Sequence, residues 1–245
     1  MKRKIIALLA GVLTASIALA QPMKPEDLEK YAKERYGDKW TEAAQNLASQ
    51  LVLDKNQSLT YQQVIEMPGK TKDQIYQTLH LWATATFNDP NAITFSDKES
   101  GTLILRSTMP NIASHMGTLN RYIVNITPVM KIDIKEGRFR VTTTVQTYDV
   151  LNAAGSGWLG GTGDKDNRDY NTFADGKRMK EDKTDRMLYD EQWEIAKHFP
   201  FVEKDSRKRT SSKALIMTHA YVNAMMDRLT DTAKNGLTGN EDQDW

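Results

Sequence analysis

Apolar residues recur at helical spacing near the start of the chain and again near its end, and alternate with polar ones in between. Trp40, Ala43, Ala44, Leu47 and Leu51 follow the i, i+3, i+4, i+7 rule. Before them, Pro25 stands at a favoured first helical position with Glu26 and Asp27 behind it. Leu28, Tyr31 and Ala32 continue that face until Gly37 interrupts it. The pattern predicts two helices, or one bent helix, from about Pro25 to Asp54, with Trp40 as a core anchor.

From Leu59 the period changes to two. Leu59 to Met67 reads as a strand ended by Pro68-Gly69. Thr71 or Asp73 then caps a helix whose stripe is Ile75, Leu79, Trp82, Ala83 and Thr86, closed before Asn88-Asp89-Pro90. Ala92–Phe95 and Thr102–Thr108 form a hairpin around Asp97-Lys98-Glu99-Ser100-Gly101. Arg121 to Ile134 alternates as a strand, Glu136-Gly137 turns, and Phe139 to Val150 is its antiparallel partner. Strand, helix, then four strands favours an α+β fold, an antiparallel sheet with helices on one face.

A charged stretch from Asp164 to Lys213 follows a glycine-rich run. Within it, Met187, Leu188, Trp193, Ile195 and Phe199 are spaced for one short docked helix. Ser211 or Ser212 caps a last helix with Leu215, Val222, Met225, Met226 and Leu229 on one face, ended by Gly236.

The first residues carry a different signal. Lys2, Arg3 and Lys4 precede a 16-residue apolar run, Ile5 to Ala20, and Ala18-Leu19-Ala20 offers small residues where a signal peptidase reads. The run is shorter than the roughly 18–20 residues that span a bilayer. Export with cleavage before Gln21 is the expectation, to the periplasm or outer envelope. Losing residues 1–20 removes three basic and no acidic residues, so the formal charge moves from +1 to −2. No basic footprint then argues for nucleic acid, and no later apolar run approaches spanning length. The absence of cysteine excludes disulfides, thiolate metal sites and cysteine nucleophiles.

Candidate chemistry is sparse. Gly155-Ser156-Gly157-Trp158-Leu159-Gly160 spells G-x-G-x-x-G, but Gly161-Thr162-Gly163-Asp164-Lys165-Asp166-Asn167 cannot open the helix whose N-terminus a dinucleotide needs. The glycines read as a surface loop, with Trp158 either packed back or exposed as a contact residue. Asp164, Asp166, Asn167 and Asp169 cluster oxygens, but their spacing misses the EF-hand pattern. His80, His115, His198 and His219 show no metal-ligand spacing. No G-x-S-x-G is present, and Arg207-Lys208-Arg209 reads as a solvated run. No catalytic, cofactor-binding or metal-ligating residue is assigned.

Met67-Pro68-Gly69-Lys70-Thr71-Lys72-Asp73-Gln74-Ile75-Tyr76, with Trp82 seven residues after Ile75, Gly101 in the second hairpin and Gly137-Arg138-Phe139-Arg140-Val141, carries a resemblance. Over about residues 59–151 the chain resembles a family of exported bacterial proteins of unknown function with a TBP-like fold (like the TATA-box-binding protein). The resemblance implies a curved, helix-backed sheet of order β-α-β-β-β-β-α, with the helix from Ser212 as its second helix. It carries no functional residue. The expected organisation is a signal peptide (1–20), an N-terminal helical segment (21–58), a TBP-like domain (59–236) with a charged, Gly-rich insert at about 152–210, and a flexible tail (237–245).

Three functions are consistent with this. A non-catalytic binding module for an envelope protein or glycan is favoured, and predicts an exposed apolar or aromatic patch on the sheet or around Trp158. An envelope hydrolase acting on glycan or peptide requires a concave pocket with convergent ionisable groups. An assembly factor would pair through the flanking helices.

Overall fold

The computed structural model describes residues 23–87, 89–116, 120–154, 187–199 and 206–237. The N-terminal segment is two helices, α1 (Pro25–Tyr36) and α2 (Trp40–Ala48), broken at Gly37. Neither buries enough surface to stand alone. Leu28 and Ala32 of α1, and Ala43, Ala44 and Leu47 of α2, are buried, and both helices pack against the 30-residue α5 (Ser206–Asn235).

β1 (Leu59–Glu66) leads into α3 (Lys72–Phe87), whose buried residues are the predicted stripe Ile75, Leu79, Trp82, Ala83 and Thr86. Thr71 is the cap. The Gln74 backbone N–H donates to Thr71 Oγ1 at 3.2 Å, and the Thr71 N–H donates back to Gln74 Oε1 at 2.9 Å, a reciprocal capping box. The hairpin β2 (Ile93–Asp97) and β3 (Thr102–Arg106) follows as expected. Then come β4 (Met109–Met116), β5 (Asn120–Ile126), β6 (Val129–Lys135), β7 (Arg138–Val145) and β8 (Thr147–Ala154).

The α+β class and antiparallel pairing are as the sequence predicts, but the strands are distributed over two sheets. One has the order β1-β7-β6-β3-β2, and the other β4-β5-β8-β9, where β9 is Met187–Glu194. The two predicted long strands, Arg121–Ile134 and Phe139–Val150, are each one extended run bent in the middle. β5 continues into β6 across Thr127-Pro128, β7 into β8 across Gln146, and β3 into β4 across Ser107-Thr108. The three bends lie side by side and form a seam. Pro128 has no N–H to give to a ladder there. Thr108 and Thr127 join their hydroxyls across the seam at 3.1 Å.

Two elements differ from expectation. β4 has no counterpart in the periodicity, because Pro110 and a register shift between Met109 and Ala113 interrupt its alternation. The predicted helix over Met187–Phe199 is instead β9, paired residue for residue with β8 from Ala154↔Met187 to Thr147↔Glu194, followed by a single turn, α4 (Ile195–His198). Pairing with an already formed neighbour outweighs a five-residue apolar spacing. The last helix also begins earlier than either predicted cap, at Ser206, and Ser212 is buried within it. It ends as expected at Gly236, whose N–H reaches the Thr232 carbonyl at 2.8 Å. α3 packs on β6 and β7, and α5 on β4 and β1, so the helices share one side of the strands.

Candidate binding face

Among the described residues, helices on one side leave the other side of the five-stranded sheet open. Alternation assigns its residues. Leu103, Leu105, Met130, Ile132, Ile134, Phe139, Val141 and Val145 point to the core and are buried, so the residues between them point away. The register sets these in rows. One crosses all five strands as Gln62, Thr142, Lys131, Ile104 and Phe95. A second runs Val64, Arg140, Asp133, Thr102 and Asp97, and a third places Glu66 beside Arg138 and Lys135.

This face is not uniformly polar. Five large apolar side chains stand exposed among the described residues, and three of them, Val64 (51%), Phe95 (47%) and Val129 (39%), are here. Each costs hydration, and a sheet packed on one side only normally keeps its outer positions polar. Charge is also concentrated. Asp133 accepts from Lys131 Nζ at 2.7 Å and Arg140 Nη2 at 2.8 Å. Burial pushes its carboxyl up, but the two cations outweigh burial and hold it below the usual carboxylate range. Val64, Asp133, Lys135, Arg138, Phe139 and Arg140 line a shallow depression of about 250 Å³.

The motif residues beside this face are architectural. Three turns meet at one corner: Met67–Thr71, Asp97–Gly101 and Glu136-Gly137. Met67 N–H donates to Gly137 O at 2.8 Å, Gly137 N–H to Lys70 O at 3.1 Å, and Ile134 N–H to Gly101 O at 2.7 Å. Lys72 ties the turns together, its N–H on Glu136 Oε2 at 2.9 Å and its Nζ on the Glu99 carbonyl. Trp82 and Phe139 are core. These residues hold the sheet's shape rather than present chemistry.

Among the described side chains the histidines do not converge. His80 lies on α3 beside Tyr76, His115 on β4 beside Tyr122, and His198 in α4. Among the described residues no three His, Asp or Glu side chains are grouped to hold a metal ion. His219 sits between α1, β1 and α5, its ring 5.3 Å from Tyr36 and 5.5 Å from Tyr61. The Asn223 amide bridges His219 Nε2 and the Tyr36 hydroxyl, at 3.0 Å to each. Around it, Lys213 bonds Glu29 at 2.6 Å, and Tyr31 and Arg35 reach Asp227 at 3.0 and 3.4 Å. The cluster clamps α1 to α5.

Burial, and after it the Arg35 charge, lower the His219 pKa from 6.5 to about 4. Between those values the unfolded chain binds a proton that the folded ring refuses. Stability therefore falls as pH drops through that window, by up to about 1.4 kcal/mol per unit, reduced by the ring's partial solvent access. His219→Gln is expected to flatten the difference between urea unfolding curves at pH 7 and pH 5. Equal pH slopes in the two proteins would show that the fold does not hold the ring neutral.

The remaining candidates fall elsewhere. Gly155–Gly163 with Trp158, and Asp164, Asp166, Asn167 and Asp169, lie outside the described residues. The strand leading to Gly155 is β8, which is antiparallel to both β5 and β9, so the parallel strand of a dinucleotide site is missing. Arg207, Lys208 and Arg209 fall in the first turns of α5.

Residues 61–149 match the domain of unknown function DUF4468, with a TBP-like fold. The matched stretch begins in β1 and ends within β8, and is the stretch over which the motifs carry the resemblance. Two solved structures are similar. One is a TBP-like protein from Parabacteroides distasonis ATCC 8503, 11% identical, covering 75% of this chain and 96% of that one at a TM-score of 0.43. The other is a DUF4468 family protein from Bacteroides ovatus ATCC 8483, 13% identical, covering 72% and 86% at a TM-score of 0.41. No curated protein matches the chain.

Proposed function

We propose that the protein is exported, with its signal peptide cleaved after Ala20, and that it serves in the periplasm or outer envelope as a non-catalytic binding module for another envelope component. The observation that carries this reading is the open face of the five-stranded sheet, where Val64, Phe95 and Val129 stand exposed among clustered charges. Exposed apolar groups on an otherwise polar face are a standing free-energy cost that a bound partner removes.

The two other functions draw less support. The depression on the open face has one carboxylate, Asp133, already engaged by two cations, and no histidine. A second depression, of about 200 Å³ between α3 and the end of α5, is lined by Lys70, Gln74, Gln77, Thr78 and Lys234 among others, with no acid or histidine. Neither offers the convergent pair a hydrolase needs. The apolar stripes of α1 and α2 are spent on α5 within the same chain, which leaves the assembly function without its pairing surface. Among the described residues no helix is long and apolar enough to cross a membrane.

A photo-reactive amino acid placed at Val64, and separately at Leu81 on the outer side of α3, tests the proposal in the native envelope. Adducts from position 64 and not from 81 are expected. Adducts from neither, or from 81 alone, would remove the open face as the contact surface.

A further inference from the structure

Resting on that reading, we infer that the open face selects an acidic, partly apolar peptide segment of a protein partner. At one end of the open sheet face, β6 and β7 bring Lys131, Lys135, Arg138 and Arg140 together around Asp133, with Glu66 of β1 and Asp97 of β2 flanking them in the same rows. Asp133 takes up two of the four cations, leaving that trio with one positive charge. Lys135 and Arg138 carry no ion pair among the described residues, although Glu66 stands opposite Arg138 in register. Lys135, Arg138 and Arg140 line a shallow depression together with Asp133 and Val64. Arg138 adds a planar fork that suits a carboxylate, and the surrounding field favours approach of negative charge.

Geometry distinguishes a peptide from other polyanions. Single-stranded nucleic acid is held by successive aromatic platforms. Among the described residues the one exposed aromatic on this face is Phe95, on β2, three strand spacings from β7, about 14 Å across the strands at ~4.8 Å each. Arg138 also lies four residues along β7 from Thr142, which shares the row of Phe95. At ~3.3 Å per residue that adds about 13 Å along the strand, so the two positions are about 19 Å apart and about six residues of extended peptide connect a carboxylate at Arg138 to an apolar side chain at Phe95. Ile104 lies along that crossing, in the same row as Phe95. A sheet face with interspersed apolar positions matches a chain that alternates acidic and apolar residues, and a shallow depression does not enclose a small ligand.

The test uses the purified protein and a labelled ten-residue peptide of alternating Glu and Val, with a Lys and Val peptide, heparin and an oligo-dT strand as comparison probes. Fluorescence anisotropy is read at about 20 and about 200 mM salt, because exposed charge pairs weaken as screening shortens their reach. The Glu-Val peptide is expected to bind, the Lys-Val peptide not. The double variant Lys135→Glu/Arg138→Glu, both side chains lying outside the core, is expected to raise Kd at least about tenfold while its circular dichroism stays unchanged. Heparin or oligo-dT binding more tightly than the Glu-Val peptide would overturn the inference. So would equal peptide binding by the double variant. The photo-adduct at position 64 separates the two levels. An adduct that persists undiminished in the double variant leaves the open face as an interaction surface and removes its preference for acid. A missing adduct in both proteins removes both.

Discussion

Trp193→Ala is expected to destabilise the protein by about 3–5 kcal/mol, the cost of deleting a fully buried indole that its surroundings cannot refill. Trp193 is buried in β9 and meets the edge of Tyr122 at 5.8 Å between ring centroids. Its strand forms one edge of the four-stranded sheet, so Trp193 is also the anchor that keeps an edge from peeling away. Urea unfolding measures the loss. A cost below about 1 kcal/mol is what a short helix docked on the surface would give, and would contradict the strand assignment.

Gly101→Ala is expected to cost about 2–4 kcal/mol. At φ +73 an added Cβ meets backbone strain of about 1–2 kcal/mol, and a packed neighbour adds a similar amount. The Cβ would lie 2.5 Å from Lys72 Cε and 2.6 Å from the Ile134 carbonyl oxygen. The lysine can swing aside, but the carbonyl belongs to β6 and accepts no displacement without disturbing the sheet. Gly69 is the internal control. It has φ +81 with open space around it, so Gly69→Ala should show the backbone part alone, about 1–2 kcal/mol. Equal costs at the two positions would mean that the corner of turns is not tightly packed.

The helices were legible because their apolar stripes are local. Ile75, Leu79, Trp82, Ala83 and Thr86 all follow from one 3.6-residue period and a Thr71 cap, and nothing distant alters them. The long strands were legible as extended runs but not as members of two sheets. Alternation continues through Thr127-Pro128 and Gln146, and period two carries no record of which neighbour a residue pairs with. β9 was misassigned because Met187, Leu188, Trp193, Ile195 and Phe199 satisfy a helical spacing, while the force that decides is the ladder with β8, 43 residues away at Asp149↔Gln192. The candidate face was visible only in pieces. Arg138 and Arg140 stood out within a motif, but Val64, Phe95 and Lys131 come from separate strands. Their gathering depends on a register running from β1 to β2 through three intervening strands.

The seam has a consequence for how the molecule comes apart. Three strands are common property of both sheets, and α5 packs on strands from each. A line that resembles a boundary in a topology diagram is crossed three times by continuous backbone. Neither sheet can be withdrawn without fraying the other, so the two behave as one cooperative block, with loss of order spreading across the bends rather than stopping at them. The open face and the four-stranded sheet are thereby joined through β3, β6 and β7 by covalent continuity rather than by a joint between two bodies.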